Sequence, residues 1–185
     1  MLAIADNSLE DALLDLAGFL EREQVPYMVI GAVAGLAWGL RRATFDVDLT
    51  IWAGAREERL ARALASSFSS RAPDPVVFVA ETGVLPLSAR GVSVDVIFGS
   101  LPYEENAIRR ARPQTLGGRT IPFCSPEDLI VHKIISERPK DLDDVRQLAR
   151  AAGATLDCGY LDPIVEGLAT DLGRPAILTL YRSLF

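Results

Sequence analysis

The chain has 185 residues, 49% hydrophobic and 24% charged. That supports one packed domain, with or without a helical appendage, and excludes a disordered polyelectrolyte. The formal charge is −6 and the isoelectric point about 4.9, which argues against strong non-specific nucleic-acid binding, since that relies on basic surface. Cys124 and Cys158 lie far apart without metal-ligand spacing and are expected as reduced thiols of a cytoplasmic protein. Asp6, Glu10, Asp11 and Asp15 precede the first basic residue, Arg22, unlike the start of a secretory signal. The uncharged stretch Val25 to Leu40 carries Gly31, Gly35 and Gly39 at the spacing of packed membrane helices. Its sixteen residues fall short of the ~20 needed to cross a bilayer, so no membrane span is expected. Gly35 and Gly39 are instead expected to let a helix lie close to a sheet.

Residues 8–23 read as an amphipathic helix, with Ser8 as cap and Leu9, Leu13, Leu16 and Leu20 as the apolar stripe. Tyr27 to Ile30 reads as a short strand. Gly31-Ala32 then turns into a helix over 32–39. A strand that ends in a glycine turn at a helix start offers backbone N–H groups and a dipole to phosphate. The next strand, 44–52, alternates: Phe45, Val47, Leu49 and Ile51 are apolar, while Asp46, Asp48 and Thr50 are polar. Residues two apart on a strand share a face, so Asp46 and Asp48 project side by side. Like charges on one sheet face repel. A divalent cation such as Mg²⁺, which binds one or two carboxylates together with substrate phosphates, removes the conflict. The competing reading is a solvated strand end or loop.

A helix is expected over 56–68, a turn over 71–75, a strand over Val76 to Val79, and a short edge strand over Leu85 to Leu87, interrupted by Pro86. Val92 to Phe98 is the next strong strand. In it Asp95 sits among valines and isoleucine, a costly place for a charge unless it is paired or bound to a cation. If this strand lies beside 44–52, Asp95 can meet Asp46 and Asp48; otherwise it is an acid at a strand end. Helix 103–111 ends in Arg109, Arg110 and Arg112, a sequence that suits the negative end of a helix dipole better than a patch for RNA or triphosphate. Gly117-Gly118 marks a two-residue hairpin between 114–116 and 120–123. Ser125-Pro126-Glu127-Asp128 starts a helix, with Ser as cap and Pro at the first position. That helix carries Lys133, one of only two lysines among 19 basic residues, between apolar neighbours. Another helix opens at Arg138-Pro139-Lys140-Asp141, with Asp141 and Asp144 on one face. Residues 157–170 and 173–184 read as terminal helices. His132, the lone histidine, is expected to pack and is given no role.

The pattern Ile30-Gly31-Ala32, thirteen residues, then Asp46-Val47-Asp48-Leu49 resembles that of the DNA polymerase β-like nucleotidyltransferase superfamily. The lead-in Arg42-Ala43-Thr44-Phe45-Asp46, with Ser-Pro-Glu-Asp-Leu-Ile, Lys133 and Arg-Pro-Lys-Asp-Leu-Asp-Asp-Val, is similar to the branch of abortive-infection (AbiE-type, AbiEii-like) toxin nucleotidyltransferases and small bacterial relatives. The superfamily has Gly or Ser where Ala32 stands, so the backbone cradle is kept and a side-chain hydroxyl is lost. The resemblance covers about residues 25–150.

That resemblance implies an α+β nucleotidyltransferase fold: a mixed β-sheet flanked by helices, with the carboxylates on one edge of the sheet. Residues 1–123 would form the core, with residues 124–185 as a helical C-terminal portion packed on it. It implies Asp46, Asp48 and Asp95 as catalytic and metal ligands for Mg²⁺ or Mn²⁺. Gly31, Ala32, Arg42, Thr44, Lys133, Asp141 and Asp144 are implied as nucleotide- or phosphate-binding residues. The plainer reading of Asp141 and Asp144 is helix capping and dipole compensation. The implied reaction is transfer of a nucleoside monophosphate, by a two-metal mechanism, from a nucleoside triphosphate to a hydroxyl of tRNA (or other RNA), protein or a small molecule, with an antitoxin protein as partner if the toxin-like branch holds. The alternative is an inactive nucleotide-binding or regulatory protein on the same scaffold. A Rossmann dinucleotide site is excluded, because its Gly-x-Gly-x-x-Gly fingerprint is missing around Gly31.

Overall fold

The computed structural model describes residues 7–136 and 138–184; Asp6, counted above among the N-terminal acids, lies outside them. In chain order the elements are α1 (Asn7–Arg22), β1 (Tyr27–Ile30), α2 (Gly31–Ala37), β2 (Asp46–Ile51), α3 (Glu57–Ser67), β3 (Ser69–Ser70), α4 (Pro75–Thr82), β4 (Val84–Ala89), β5 (Val92–Phe98), α5 (Pro102–Arg110), β6 (Arg112–Leu116), β7 (Arg119–Phe123), α6 (Pro126–Ser136), α7 (Pro139–Ala152), α8 (Cys158–Asp171) and α9 (Pro175–Arg182). The strands form one mixed sheet in the order β3-β4-β5-β2-β1-β7-β6. β2 runs parallel to β5, β1 parallel to β7, and the remaining neighbours are antiparallel. The architecture is α+β, as expected.

Period-two patterning decides which face of the central strands is core. Val47, Leu49 and Ile51 of β2 and Val94 and Val96 of β5 are fully buried. α1 crosses β2, β4 and β5 with Leu9, Leu13, Leu16 and Leu20 buried. β6 and β7 form the hairpin that Gly117-Gly118 announces. After β7 the chain is helical. α6 has almost no exposed face and packs on α2, α7, α8 and α9, which explains its nearly continuous apolar sequence. No helix of the described residues is long and apolar enough to cross a membrane.

Four expectations need correction. Residues 76–79 are helical, not a strand. Val76, Val77 and Phe78 favour strands by composition, but local signals override them. The Asp74 carboxylate accepts from the N–H groups of Val76 and Val77 at 3.0 and 3.1 Å, Pro75 occupies the first helical turn, and Gly83 stops the helix at φ 70°. The segment around Pro86 is not an edge strand either. β4 lies between β5 and the two-residue β3, and Pro86 is tolerated because its position contributes a carbonyl, which accepts from Arg71 N–H at 2.9 Å. Third, the carboxylate-bearing strands β2 and β5 are interior, not at one edge of the sheet. Finally, Gly35 serves close approach of Leu40 rather than of the sheet: a Cβ there would stand 2.3 Å from Leu40 Cδ1.

Candidate active site

β2 and β5 pair in register, with Asp48 opposite Asp95 and Asp46 opposite Ser93. Partners in register share a face, and so do residues two apart. The three carboxylates therefore project from the same side of the sheet, opposite the buried valine face. Burial pushes the Asp48 carboxyl up to about 6, and the charges of Asp46 and Asp95 push the same way, while Lys133 and Arg138 pull it back. No hydrogen bond from a described residue reaches the Asp48 carboxylate. The outer two acids are partnered. Asp46 Oδ1 accepts from Thr44 Oγ1 at 2.6 Å, and Asp95 Oδ1 accepts from Arg71 Nη2 at 2.7 Å. Accordingly, among the described residues no three acidic, histidine or cysteine side chains are drawn together into a ready metal centre. The chemistry of the donor set still fits a hard divalent cation: all donors are carboxylate oxygens, and the middle one ionises against burial and two like charges.

Gly31 makes room for the middle carboxylate. Its φ is +68°, and a Cβ at that position would lie 1.9 Å from Asp48 Oδ2. The register places Ile30 opposite Asp48, so the chain must turn into α2 directly over that carboxyl. Gly31→Ala is expected to cost about 1–2 kcal/mol for the left-handed alanine alone, and to displace Asp48 as well. A lowered melting temperature together with weakened Mn²⁺ binding checks this; unchanged Mn²⁺ binding contradicts the role given to the turn. Ile30, which caps α2, makes no side-chain cap, so the first N–H groups of the helix are not taken by one. Ala32 is buried.

Gly31 and Asp48 open on a cavity of about 180 Å³, closed on the other side by Lys133, His132, Ser136, Arg138 and Asp141. Lys133 is 4% exposed. Its Nζ donates to Asp144 Oδ2 at 2.6 Å and to Asp141 Oδ1 at 3.2 Å. Asp141 also accepts from Ser136 Oγ at 2.6 Å and from Arg138 Nε, while Asp144 pairs with Arg42 Nη2 at 3.1 Å. Burial works to raise the Asp141 carboxyl, but the hydrogen bonds from Ser136 and Arg138 and the charge of Lys133 outweigh it and hold the group below its ordinary value. An ammonium has three N–H donors. Two of Lys133's are committed to the aspartates, and the third has no partner among the described residues.

Two groups of expected residues are thus brought to one cavity: Gly31 and Asp48 from the sheet side, Lys133 and Asp141 from the helical side. Asp144 and Arg42 stand one layer behind, both on the lysine network. Thr44 touches Asp46. The carboxylates of Asp141 and Asp144 neither cap α7 nor face the cavity as free anions; they hold a cation. Arg71 and Ser136 have no role in the sequence reading, and Arg138 enters it only as the first residue of the Arg-Pro-Lys-Asp segment, with no role of its own. Ser136 and Arg138 flank the Lys133 and Asp141 motifs and carried that faint signal, whereas nothing marks Arg71. His132 packs against Tyr103 with ring centroids 5.6 Å apart. Burial, then the charge of Lys133, lowers it to about 4, so it is neutral at pH 7. Arg109, Arg110 and Arg112 are engaged by Glu105, by the Tyr160 ring and by Glu127.

No protein-family profile and no curated protein matches the sequence. Solved structures do. One is an antigenic nucleotidyltransferase-like protein from Paracoccidioides brasiliensis, 18% identical with a TM-score of 0.57, over 97% of this chain and 94% of that one. Another is the antibiotic-resistance factor ANT(2'')-Ia, 15% identical with a TM-score of 0.59, over 97% of this chain and 96% of that one. A third is the lincosamide antibiotic adenylyltransferase LnuA bound to lincomycin, 16% identical with a TM-score of 0.55, over 77% of this chain and 98% of that one. At these identities the likeness establishes the fold, that of nucleotidyltransferases.

Proposed function

We propose that the protein transfers a nucleoside monophosphate from a nucleoside triphosphate to a hydroxyl acceptor. The observation that carries this reading is the convergence, around one cavity, of a carboxylate under like-charge stress, Asp48, and a buried, doubly anchored ammonium, Lys133. Asp46, Asp48 and Asp95 would hold Mg²⁺ or Mn²⁺, which when bound neutralises charge on the phosphates during an in-line displacement. Lys133 presents its third N–H to a phosphate oxygen, fixed in place by Asp141 and Asp144. The start of α2 at Gly31-Ala32 contributes backbone N–H groups to the same phosphates. Asp95, facing the site from the neighbouring strand, accepts the proton of the acceptor hydroxyl. Arg42 and Thr44 act at one remove, on Asp144 and Asp46.

A small-molecule acceptor suits the chain better than tRNA, because a net charge of −6 repels a polyanion. The named activities of the fold's neighbours point the same way, towards lincomycin and towards the adenylyl-tobramycin complex of ANT(2'')-Ia. The reading places the enzyme in the cytoplasm, where its triphosphate substrate is held. A toxin-like role with an antitoxin partner rests on the sequence signatures alone.

The test is incorporation of labelled nucleotide from each triphosphate, with Mg²⁺, into small hydroxylic compounds, tRNA and protein. Metal-dependent labelling supports the proposal. No labelling of any acceptor, combined with no metal-dependent triphosphate binding, overturns it; triphosphate binding without transfer identifies the inactive alternative.

A further inference from the structure

Among the described residues, Asp95 is the one carboxylate on this face of β2 and β5 held in a direct ion pair, and its partner comes from outside both strands, whereas Asp48 feels Lys133 and Arg138 only at a distance. Arg71 follows β3, in the loop before α4. Its guanidinium is held by backbone as well as by Asp95: Nε donates to Leu87 O at 3.1 Å and Nη2 to Val94 O at 3.4 Å, besides the 2.7 Å bond to Asp95 Oδ1. Its own N–H donates to Pro86 O at 2.9 Å. The arginine is therefore tied to β4 and β5 independently of the carboxylate.

The contrast with Lys133 is one of burial. The side chains of Lys133, Asp141 and Asp144 are 2–5% exposed, so their pairs cannot be traded for water. Arg71 and Asp95 are 44% and 47% exposed. An exposed pair is weak and screened, and its partners exchange readily. Without a cation, Arg71 balances the charge of Asp95, one of the two acids that bear on Asp48. A divalent cation balances that charge more fully and competes for the same Asp95 oxygen. Once Asp95 turns to the cation, the carbonyls of Leu87 and Val94 still hold the guanidinium beside the site. It is then a planar cation with N–H donors freed, on the β4 side of Asp95 and across the carboxylates from Lys133.

We infer that Arg71 is an exchangeable counter-ion: it holds Asp95 until the cation binds, and then binds the polyphosphate of the incoming nucleotide. This rests on the transferase reading above. It makes one substitution act with opposite signs on two ligands. In the full chain carrying Arg71→Gln, which keeps a hydrogen-bonding side chain without the charge, Mn²⁺ titrated alone should bind about threefold to tenfold more tightly, the scale of one screened unit charge. A non-hydrolysable triphosphate at saturating Mg²⁺ should bind about tenfold more weakly, the loss of one charged hydrogen bond. Arg71→Lys should restore most of the Mn²⁺ behaviour and part of the triphosphate affinity. Melting curves of the variants show whether the fold is kept. Equal or weaker Mn²⁺ binding by Arg71→Gln overturns the counter-ion role, and unchanged triphosphate affinity overturns the hand-over. If the unaltered protein binds neither Mn²⁺ nor triphosphate, the transferase reading itself fails and this inference falls with it.

Discussion

Asp48→Asn is expected to cut activity sharply while making the metal-free fold more stable. On the activity side, kcat should fall about 10²- to 10³-fold, the scale set by removing one preorganised electrostatic group from a transition state. Asp48 is the middle acid of the proposed cation site, with Asp46 beside it on β2 and Asp95 in register on β5. On the stability side the sign runs the other way. The Asp48 carboxyl is raised from 3.8 to about 6 by burial and by its two acidic neighbours. A raised carboxyl favours the fold below its unfolded value and loses that contribution as pH climbs through the folded one. The metal-free protein should therefore lose stability between pH 4 and 6, by up to about 3 kcal/mol at the usual 1.36 kcal/mol per pK unit. Asp48→Asn should flatten that slope and melt higher than the unaltered chain at pH 7. Added Mg²⁺ should raise the melting temperature of the unaltered chain and leave that of the variant unmoved. Melting curves across pH, with and without Mg²⁺, read all of this. A variant that melts lower at pH 7, or that keeps the slope, contradicts the assignment of like-charge stress to this residue.

The second large effect concerns Lys133. Lys133→Met should destabilise the protein by about 3–5 kcal/mol, because it leaves two buried carboxylates facing each other without their shared cation. Arg42 and Arg138 remain as partial counter-ions but reach from more exposed positions, with side chains 33% and 63% exposed. Adding Asp141→Asn and Asp144→Asn to Lys133→Met should recover most of that loss, since the buried charges are then gone and the two arginines can turn to solvent. Triphosphate affinity should not recover. The triple variant thereby separates Lys133 as a fold element from Lys133 as a phosphate ligand. Recovery of both stability and triphosphate binding would show that the lysine is scaffold only. Lys133→Arg should not substitute, since a planar fork does not fit a site built for a compact ammonium.

What could be read from the chain alone follows from the range over which each signal acts. Alternation at 46–51 and 92–98 marked both acid-bearing strands and the face each acid takes, because that period is local and one-sided. The Gly117-Gly118 hairpin and the Ser125-Pro126 helix start are equally short-range. Residues 76–79 run against the strand preference of Val76, Val77 and Phe78 because the Asp74-Pro75 cap and the Gly83 stop decide the local structure. Strand order is not a local property, so the carboxylates were expected at an edge although β2 and β5 lie inside the sheet. The motif around Lys133, Asp141 and Asp144 marked residues that do meet, but not the direction of their interaction. Only packing shows that the acids serve the lysine. Arg71 left no trace, because its relation to Asp95 depends on a loop folding back over two strands.

The central claim is that three carboxylates from β2 and β5 and the ammonium of Lys133 hold a cation and a triphosphate between them. Its most direct test is anomalous diffraction from crystals soaked with Mn²⁺ and a non-hydrolysable nucleoside triphosphate. The expected map has Mn²⁺ bonded to Asp48 and to at least one of Asp46 and Asp95, with phosphate oxygens against Lys133. A triphosphate bound elsewhere, or a map in which Asp95 stays on Arg71 and no Mn²⁺ touches Asp48, would contradict it.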